Sequence, residues 1–171
     1  MDLKKFILDI KDFPQPGVIF KDITPLLNDV EAFKFVVDEF TKFVKETGAN
    51  VIVAPEARGF LFAPAVAYAA GCRFVLVRKP GKLPRTVNEV EYSLEYGTGT
   101  LQMHQGDLHE NDKVVVLDDV LATGGTMDGI IALCHKEKNI SIAGIACLID
   151  LAFLHNDDLK NKYNLKTLIT Y

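Results

Sequence analysis

Cysteine is scarce and unpaired in this chain. Cys72, Cys134 and Cys147 are odd in number, lie far apart and form no CxxC pair. That argues against a disulfide framework or a cysteine zinc site, and reduced thiols in a cytoplasmic protein are expected. The four histidines, His104, His109, His135 and His155, show no HExxH or comparable spacing. They read as solvated or capping residues, not as metal ligands. Long apolar runs are missing too. The most apolar window, Gly59–Cys72, contains Pro64 and is too short for a membrane span. The opening "MDLKKFILDIKD" is interrupted by Asp9 and reads as an amphipathic helix, not a signal peptide. Positive charge is not in surplus: the formal net charge is −4, which argues against a nucleic-acid binder held by a general positive field. Repeats and low-complexity segments are also lacking. What is left is one domain over 171 residues, long enough to bury a core without staples.

Four short apolar runs read as buried strands: Val51–Ala54, Phe74–Val77, Val114–Leu117 and Ile142–Ile149. They do not alternate with polar residues, and continuous β-branched runs are typical of parallel strands covered on both faces. Helical patterns lie between them. Asp29–Thr47 carries Phe33, Val36, Val37, Phe40 and Val44 at helical spacing and ends before Gly48. "GFLFAPAVAYAA" follows the first strand and "GGTMDGIIALCHKEK" the third. This alternation implies an α/β fold with a mostly parallel, twisted sheet flanked by helices. Residues 79–112 break the pattern. Their "EYSLEYGTGTLQMHQGD" alternates as a β-hairpin does around Gly97–Gly99, and such an excursion suits an active-site lid.

In parallel α/β sheets, ligands bind beyond the carboxyl ends of the strands. The first exit carries Glu56, Ala57, Arg58 and Gly59; the second carries Arg78, Lys79, Lys82 and Arg85. The third carries Asp118 and Asp119, then Ala122, Thr123, Gly124, Gly125 and Thr126; the fourth carries Asp150 and Leu151. The glycine loop opens a helix, so its backbone N–H groups suit one phosphate. GxxxxGK(S/T) is absent, and Gln102 stands where a GxGxxG begun at Gly97 would need its third glycine. Two adjacent carboxylates suit a vicinal diol, since hydroxyls donate and carboxylates accept. A turn with an N-cap, or a Mg²⁺ site without sugar, is the other reading of that pair. The basic second exit, stiffened by Pro80, Gly81 and Pro84, suits a polyanion such as diphosphate. Phosphate, diol and diphosphate together describe phosphoribosyl diphosphate.

"VVVLDDVLATGGT" resembles the phosphoribosyl-diphosphate signature of the type I phosphoribosyltransferases. "FPQPGVIFKDITPLL", "PEARGFLFAPAVA", "VRKPGKLPRTV" and "YSLEYGTGTL" extend the likeness over nearly the whole chain, toward the adenine-using branch of that family. The resemblance implies transfer of the phosphoribosyl group from 5-phosphoribosyl 1-diphosphate to adenine, giving AMP and diphosphate, with Mg²⁺ held mainly through the substrate. It implies that Asp118 and Asp119 hold the ribose hydroxyls and that Ala122 to Thr126 hold the 5-phosphate. Diphosphate falls to Glu56, Ala57, Arg58, Lys79 and Lys82, with Arg78 reaching the neighbouring site of a homodimer. An N-terminal segment of about residues 1–28 would serve the base. There adenine lies between Phe20 and Leu151, its edge read by main-chain groups of Ile19 and Lys21. Glu95, on the lid hairpin, matches the family's general acid/base. Asp150 stands where the family usually has Glu, and Lys21 where it often has Arg. A 6-oxopurine substrate, or a sensor of phosphoribosyl diphosphate that catalyses nothing, are the competing readings. No nucleic-acid or membrane partner is expected.

Overall fold

In a computed structural model, which describes residues 1–94 and 96–171, the N-terminus is not the helix expected of it. Leu3–Phe6 make one 3₁₀ turn. Leu8–Lys11 then form β1, which pairs antiparallel with β2 (Ile19–Asp22). Two periods compete in this stretch. Leu3 and Ile7 are buried at helical spacing, yet Leu8 and Ile10 alternate with Asp9 and Lys11 and meet β2 across Ile10↔Phe20 and Asp9↔Lys21. So short a run cannot select its own period, and the available partner strand decides it.

A short helix, α1 (Thr24–Leu27), leads to α2 (Val30–Thr47). Asp29 caps α2 by accepting from the Ala32 N–H at 2.8 Å, and Gly48 ends it at φ 71°. Val36, Phe40 and Val44 recur every fourth residue on its fully buried face. The chain continues through β3 (Val51–Pro55), α3 (Ala63–Ala70), β4 (Arg73–Val77), β5 (Val87–Ser93) and β6 (Thr98–His104). It ends with β7 (Lys113–Leu121), α4 (Gly125–Cys134), β8 (Ser141–Asp150), α5 (Asp158–Lys162) and β9 (Leu165–Thr170).

Five strands form one parallel sheet in the order β4-β3-β7-β8-β9. The edge strand β9 lies outside the four apolar runs: "LKTLIT" is six residues long, mostly half-buried, and carries Lys166. Helices cover both faces. Val115 and Leu117 of β7 pack with Val36, Phe40 and Phe62 on one side; Val114 and Val116 pack with Met103, Ile130 and Leu133 on the other. Both faces of β7 are therefore apolar, which is why its run does not alternate. β5 and β6 form a separate antiparallel hairpin. Its base is built into the body: Arg78 and Gln102 exchange backbone hydrogen bonds of 2.9 and 2.8 Å, and Leu101 and Met103 are buried.

The strand order reverses beside β3. The chain steps outward from β3 to β4, then returns on the other side as β7. In doubly wound sheets a crevice opens at such a switch point, beyond the carboxyl ends of the two strands.

Candidate active site

Asp118 and Asp119 belong to β7 itself, not to the loop after it. β3 pairs with β7 only as far as Val116, whereas β8 keeps pairing to Leu121. The end of β7 therefore overhangs the crevice, held by β8 on one side and faced by the 3₁₀ turn Arg58–Leu61. Gly59 permits that approach. A Cβ there would lie 2.9 Å from Pro55 Cδ and 3.3 Å from Asp118 Oδ1.

Both carboxylates are buried. Asp118 Oδ1 accepts from the Asp119 N–H at 2.8 Å. Arg58 Nε stands 2.8 Å from Asp119 Oδ2. That oxygen nonetheless has no hydrogen-bond partner among the described residues, so the contact is an ion pair without hydrogen-bond alignment. Burial, and next the charge of Asp119, push the Asp118 carboxyl well above the ordinary range. Burial raises Asp119 as well, against the pull of Arg58. Paired acids of this kind are satisfied by a ligand that brings donors.

A crevice of about 270 Å³ brings Glu56, Ala57, Arg58 and Lys79 to Asp118 and Asp119. Ala122 and Thr126 also line it. The Glu56–Ala57 peptide is cis. Glu56 accepts from the Lys79 N–H at 2.7 Å and from Arg78 Nη2 at 2.9 Å. Burial alone would raise the Glu56 carboxyl, but the Lys79 and Arg78 bonds and the charges of Arg78 and Lys82 hold it below its ordinary range. Arg78 thus stands on its own chain's Glu56. Lys82 is exposed beyond the crevice. Arg85 leaves the basic group altogether, donating to Asp107 at 2.8 Å and contacting His104 at 3.0 Å. His104, expected to be a solvated or capping residue, is buried, and its Nε2 accepts from the Arg85 backbone N–H at 3.3 Å.

Ala122, Thr123, Gly124 and Thr126 wrap a small cavity of about 60 Å³ that Asp118 also lines. Gly124 precedes α4 at φ 91°, and no side chain caps the helix. Apart from a long contact of the Gly125 N–H with Thr123 Oγ1 at 3.5 Å, no side chain among the described residues accepts from its first-turn N–H groups, the condition for an anion site. Gly125 faces the hairpin instead: the Ser93 carbonyl lies against it, in the space a Cβ would need.

A second cavity, of about 340 Å³, adjoins the crevice and shares Arg58, Val120 and Ala122 with it. Ile19, Phe20 and Lys21 line it from β2, and Leu151, Phe153 and Leu154 from beyond β8. Phe20 is half-buried, with Phe13 edge-on at 5.1 Å and the Arg58 guanidinium 4.8 Å over its ring. The Lys21 ammonium is engaged elsewhere, 2.6 Å from Asp9 and 3.7 Å over the Tyr171 ring. Phe153, Leu154 and Val120 were not among the expected residues. The signal for the first two was present: "LAFL" is an apolar turn directly after a strand exit. His155, expected to be a solvated or capping residue, bridges Asp150 and the Asn156 carbonyl, each at 2.6 Å. Glu95 lies outside the described residues.

The phosphoribosyl transferase domain model matches residues 26–170. The chain is 61% identical over 171 residues to an adenine phosphoribosyltransferase of Mycoplasma capricolum subsp. capricolum, covering all of both chains. It is 59% identical, again over all of both, to that of Mesoplasma florum. Among solved structures, the adenine phosphoribosyltransferase of Thermoanaerobacter pseudethanolicus superposes with a TM-score of 0.92 at 42% identity, covering 99% of this chain and 98% of that one. The Saccharomyces cerevisiae enzyme, complexed with an imino-altritol bisphosphate and adenine, gives 0.88 at 29% identity, over 98% and 96%.

Proposed function

The chain belongs to the phosphoribosyl transferase family, and from that premise we propose how its residues divide the work. It is an enzyme of purine salvage that transfers the phosphoribosyl group of 5-phosphoribosyl 1-diphosphate to adenine, giving AMP and diphosphate. The observation that carries the division of roles is the junction of two cavities. A polar crevice with paired buried acids meets a mostly apolar slot, and Arg58, Val120 and Ala122 line both.

In this reading the 5-phosphate sits on the Ala122–Thr126 loop and the start of α4. The ribose hydroxyls donate to Asp118 and Asp119, and so supply the hydrogen-bond donor that Asp119 Oδ2 lacks. Arg58 then leaves Asp119 and turns to the diphosphate, joined by Lys79, Lys82 and the Glu56–Ala57 turn. Cleavage of the anomeric bond builds positive charge on the ribose and negative charge on the departing diphosphate, and preplaced cations stabilise the latter. Arg78 would serve the diphosphate of the neighbouring site in a homodimer.

Mg²⁺ fits as a companion of the substrate. The crevice holds the carboxylates of Glu56, Asp118 and Asp119. Glu56 is engaged by Arg78 and the Lys79 N–H and the two aspartates serve the ribose, so most of the oxygens that Mg²⁺ requires would come from phosphates and water. When bound, it supplies charge neutralisation of the leaving diphosphate.

Adenine lies in the slot between Phe20 and Leu151, its edge toward main-chain groups of Ile19 and Lys21, within the N-terminal segment of about residues 1–28. The β5–β6 hairpin, set against the start of α4, is the lid of the excursion over residues 79–112 and limits water at the reacting carbon. Glu95 is assigned the purine's proton on the strength of the family motif. The enzyme is assigned to the cytoplasm; among the described residues no helix is long and apolar enough to cross a membrane.

Incubation with adenine, phosphoribosyl diphosphate and Mg²⁺ should yield AMP and diphosphate, and adenine should win against hypoxanthine and guanine. Folded protein that prefers a 6-oxopurine, or binds without turnover, overturns the assignment. Glu95→Ala should cut turnover by about a hundredfold while leaving phosphoribosyl diphosphate affinity near that of the parent. Equal losses in both would make Glu95 a binding residue.

A further inference from the structure

One wall of the slot has little of its own to hold it in place. Ala152–Leu154 form a 3₁₀ turn with no side-chain cap and no buried residue, and Phe153 is 71% exposed. Its near end is tied into the sheet: Leu151 N–H donates to Leu121 O at 2.9 Å, and Ala152 N–H to Tyr171 O at 3.1 Å. Its far end is closed by one side chain. His155 Nε2 lies 2.6 Å from Asp150 Oδ1, and His155 Nδ1 lies 2.6 Å from the Asn156 carbonyl oxygen. The side chains of His155 and Asp150 are only 10% and 13% exposed.

Both partners are acceptors only. A neutral imidazole has one N–H and one lone pair, so it can serve one of them while its lone pair faces the other's oxygen. The ring makes both contacts only as an imidazolium. The neighbouring charges agree. Burial by itself would lower the ring's pKa, but the bonds to Asn156 and Asp150, with the charges of Asp150 and Asp157, outweigh it and hold the pKa above the usual histidine value. Around this group, Asp157, just before α5, adds a second negative charge, and the Tyr171 N–H, just after β9, donates to the Asp150 carbonyl at 2.9 Å.

We infer that His155 is a positioning residue of the base slot: as an imidazolium tying Asp150 to the Asn156 backbone, it clamps the Leu151–Leu154 wall against which adenine packs. The inference rests on the reading of this slot as the adenine site. The sign follows from the protonated form being the clamp. Adenine binding is tightest below the raised pKa of His155 and weakens as pH rises through it. Leu151 packs on the base without touching the reacting carbon, so the effect falls on the KM for adenine and spares kcat.

The test measures kcat and both KM values from about pH 6 to 9 in the parent, His155→Gln and Asp150→Asn. In the parent, the KM for adenine should rise about fivefold along an alkaline limb that the KM for phosphoribosyl diphosphate lacks. His155→Gln should start from the raised KM and show no such limb. Asp150→Asn should move the limb to lower pH, because the ring loses its anionic partner. A limb that persists in His155→Gln, or equal movement of both KM values, overturns the inference. Should either variant fail to fold, the parent still decides: saturating adenine must raise the His155 titration midpoint seen by NMR, since binding and protonation are reciprocally linked. An unchanged midpoint overturns it. Absence of adenine turnover by the parent would instead remove the reading of the slot, a failure distinct from either of these.

Discussion

Asp118 is a residue retained against the interest of the fold. It is buried, stands beside a second buried acid, and its carboxyl is pushed well above the ordinary range by burial and by the charge of Asp119. Asparagine is of similar size and keeps an oxygen for the Asp119 N–H. Asp118→Asn should therefore stabilise the free protein by about 1 kcal/mol, seen as a melting temperature higher by a few degrees. It should also lower kcat/KM for phosphoribosyl diphosphate by about a hundredfold, because an amide is a weaker partner for a hydroxyl donor. A melting temperature below the parent's would mean that the charge is structural. The type and adjacency of these acids were legible in the sequence. Their place on the overhang of β7 was not, because it depends on where β3 stops pairing.

At the scale of elements, the hairpin and α4 are fitted through glycine. Gly129 faces Tyr92, and a Cβ there would come within 2.8 Å of Tyr92 Cβ. Gly129→Ala should push β5 off α4 and cost about 1–3 kcal/mol. Amide exchange would locate the damage: hairpin protection should fall well before that of β3, β7 and β8. Uniform loss across the sheet would show that the hairpin and the body form one cooperative unit. The elements themselves were legible to different degrees. The four buried runs declared themselves because both faces of the sheet are covered. β1 and β9 did not, since one is four residues long and the other a half-buried edge. For such segments the deciding interaction is a partner strand distant in sequence.

At the scale of the whole molecule, the end of the sheet opposite the crevice is tied by ion pairing. Asp112 accepts from Arg73 at 3.0 and 2.6 Å and from Asn50 at 2.9 Å, joining the starts of β3, β4 and β7. Arg73 is the chief cause holding the Asp112 carboxyl down to about 2, from 3.8. A depressed carboxylate stabilises the fold above its unfolded pKa and loses that contribution as pH falls through the folded one. Stability should therefore decline from about pH 4 toward pH 2. Asp112→Asn should cost about 1–2 kcal/mol near neutrality, allowing for solvent screening of the half-exposed Arg73, and correspondingly less at pH 2. Chemical denaturation at the two pH values measures this. An equal cost at both would assign Asp112's role to hydrogen-bond geometry and not to charge.

The sequence by itself determined the α/β class, the parallel sheet, the four strand exits and the identity of the residues they deliver. These depend on local pattern: continuous apolar runs, helix caps, and turn residues after each strand. Only the tertiary structure decided which of those residues meet. It set Arg58 between Asp119 and Phe20, turned Arg85 away toward Asp107, and closed His155 onto Asp150. The physical reason is that a charged side chain settles on whichever opposite charge or acceptor the fold brings within reach, and that choice is made across elements far apart in the chain.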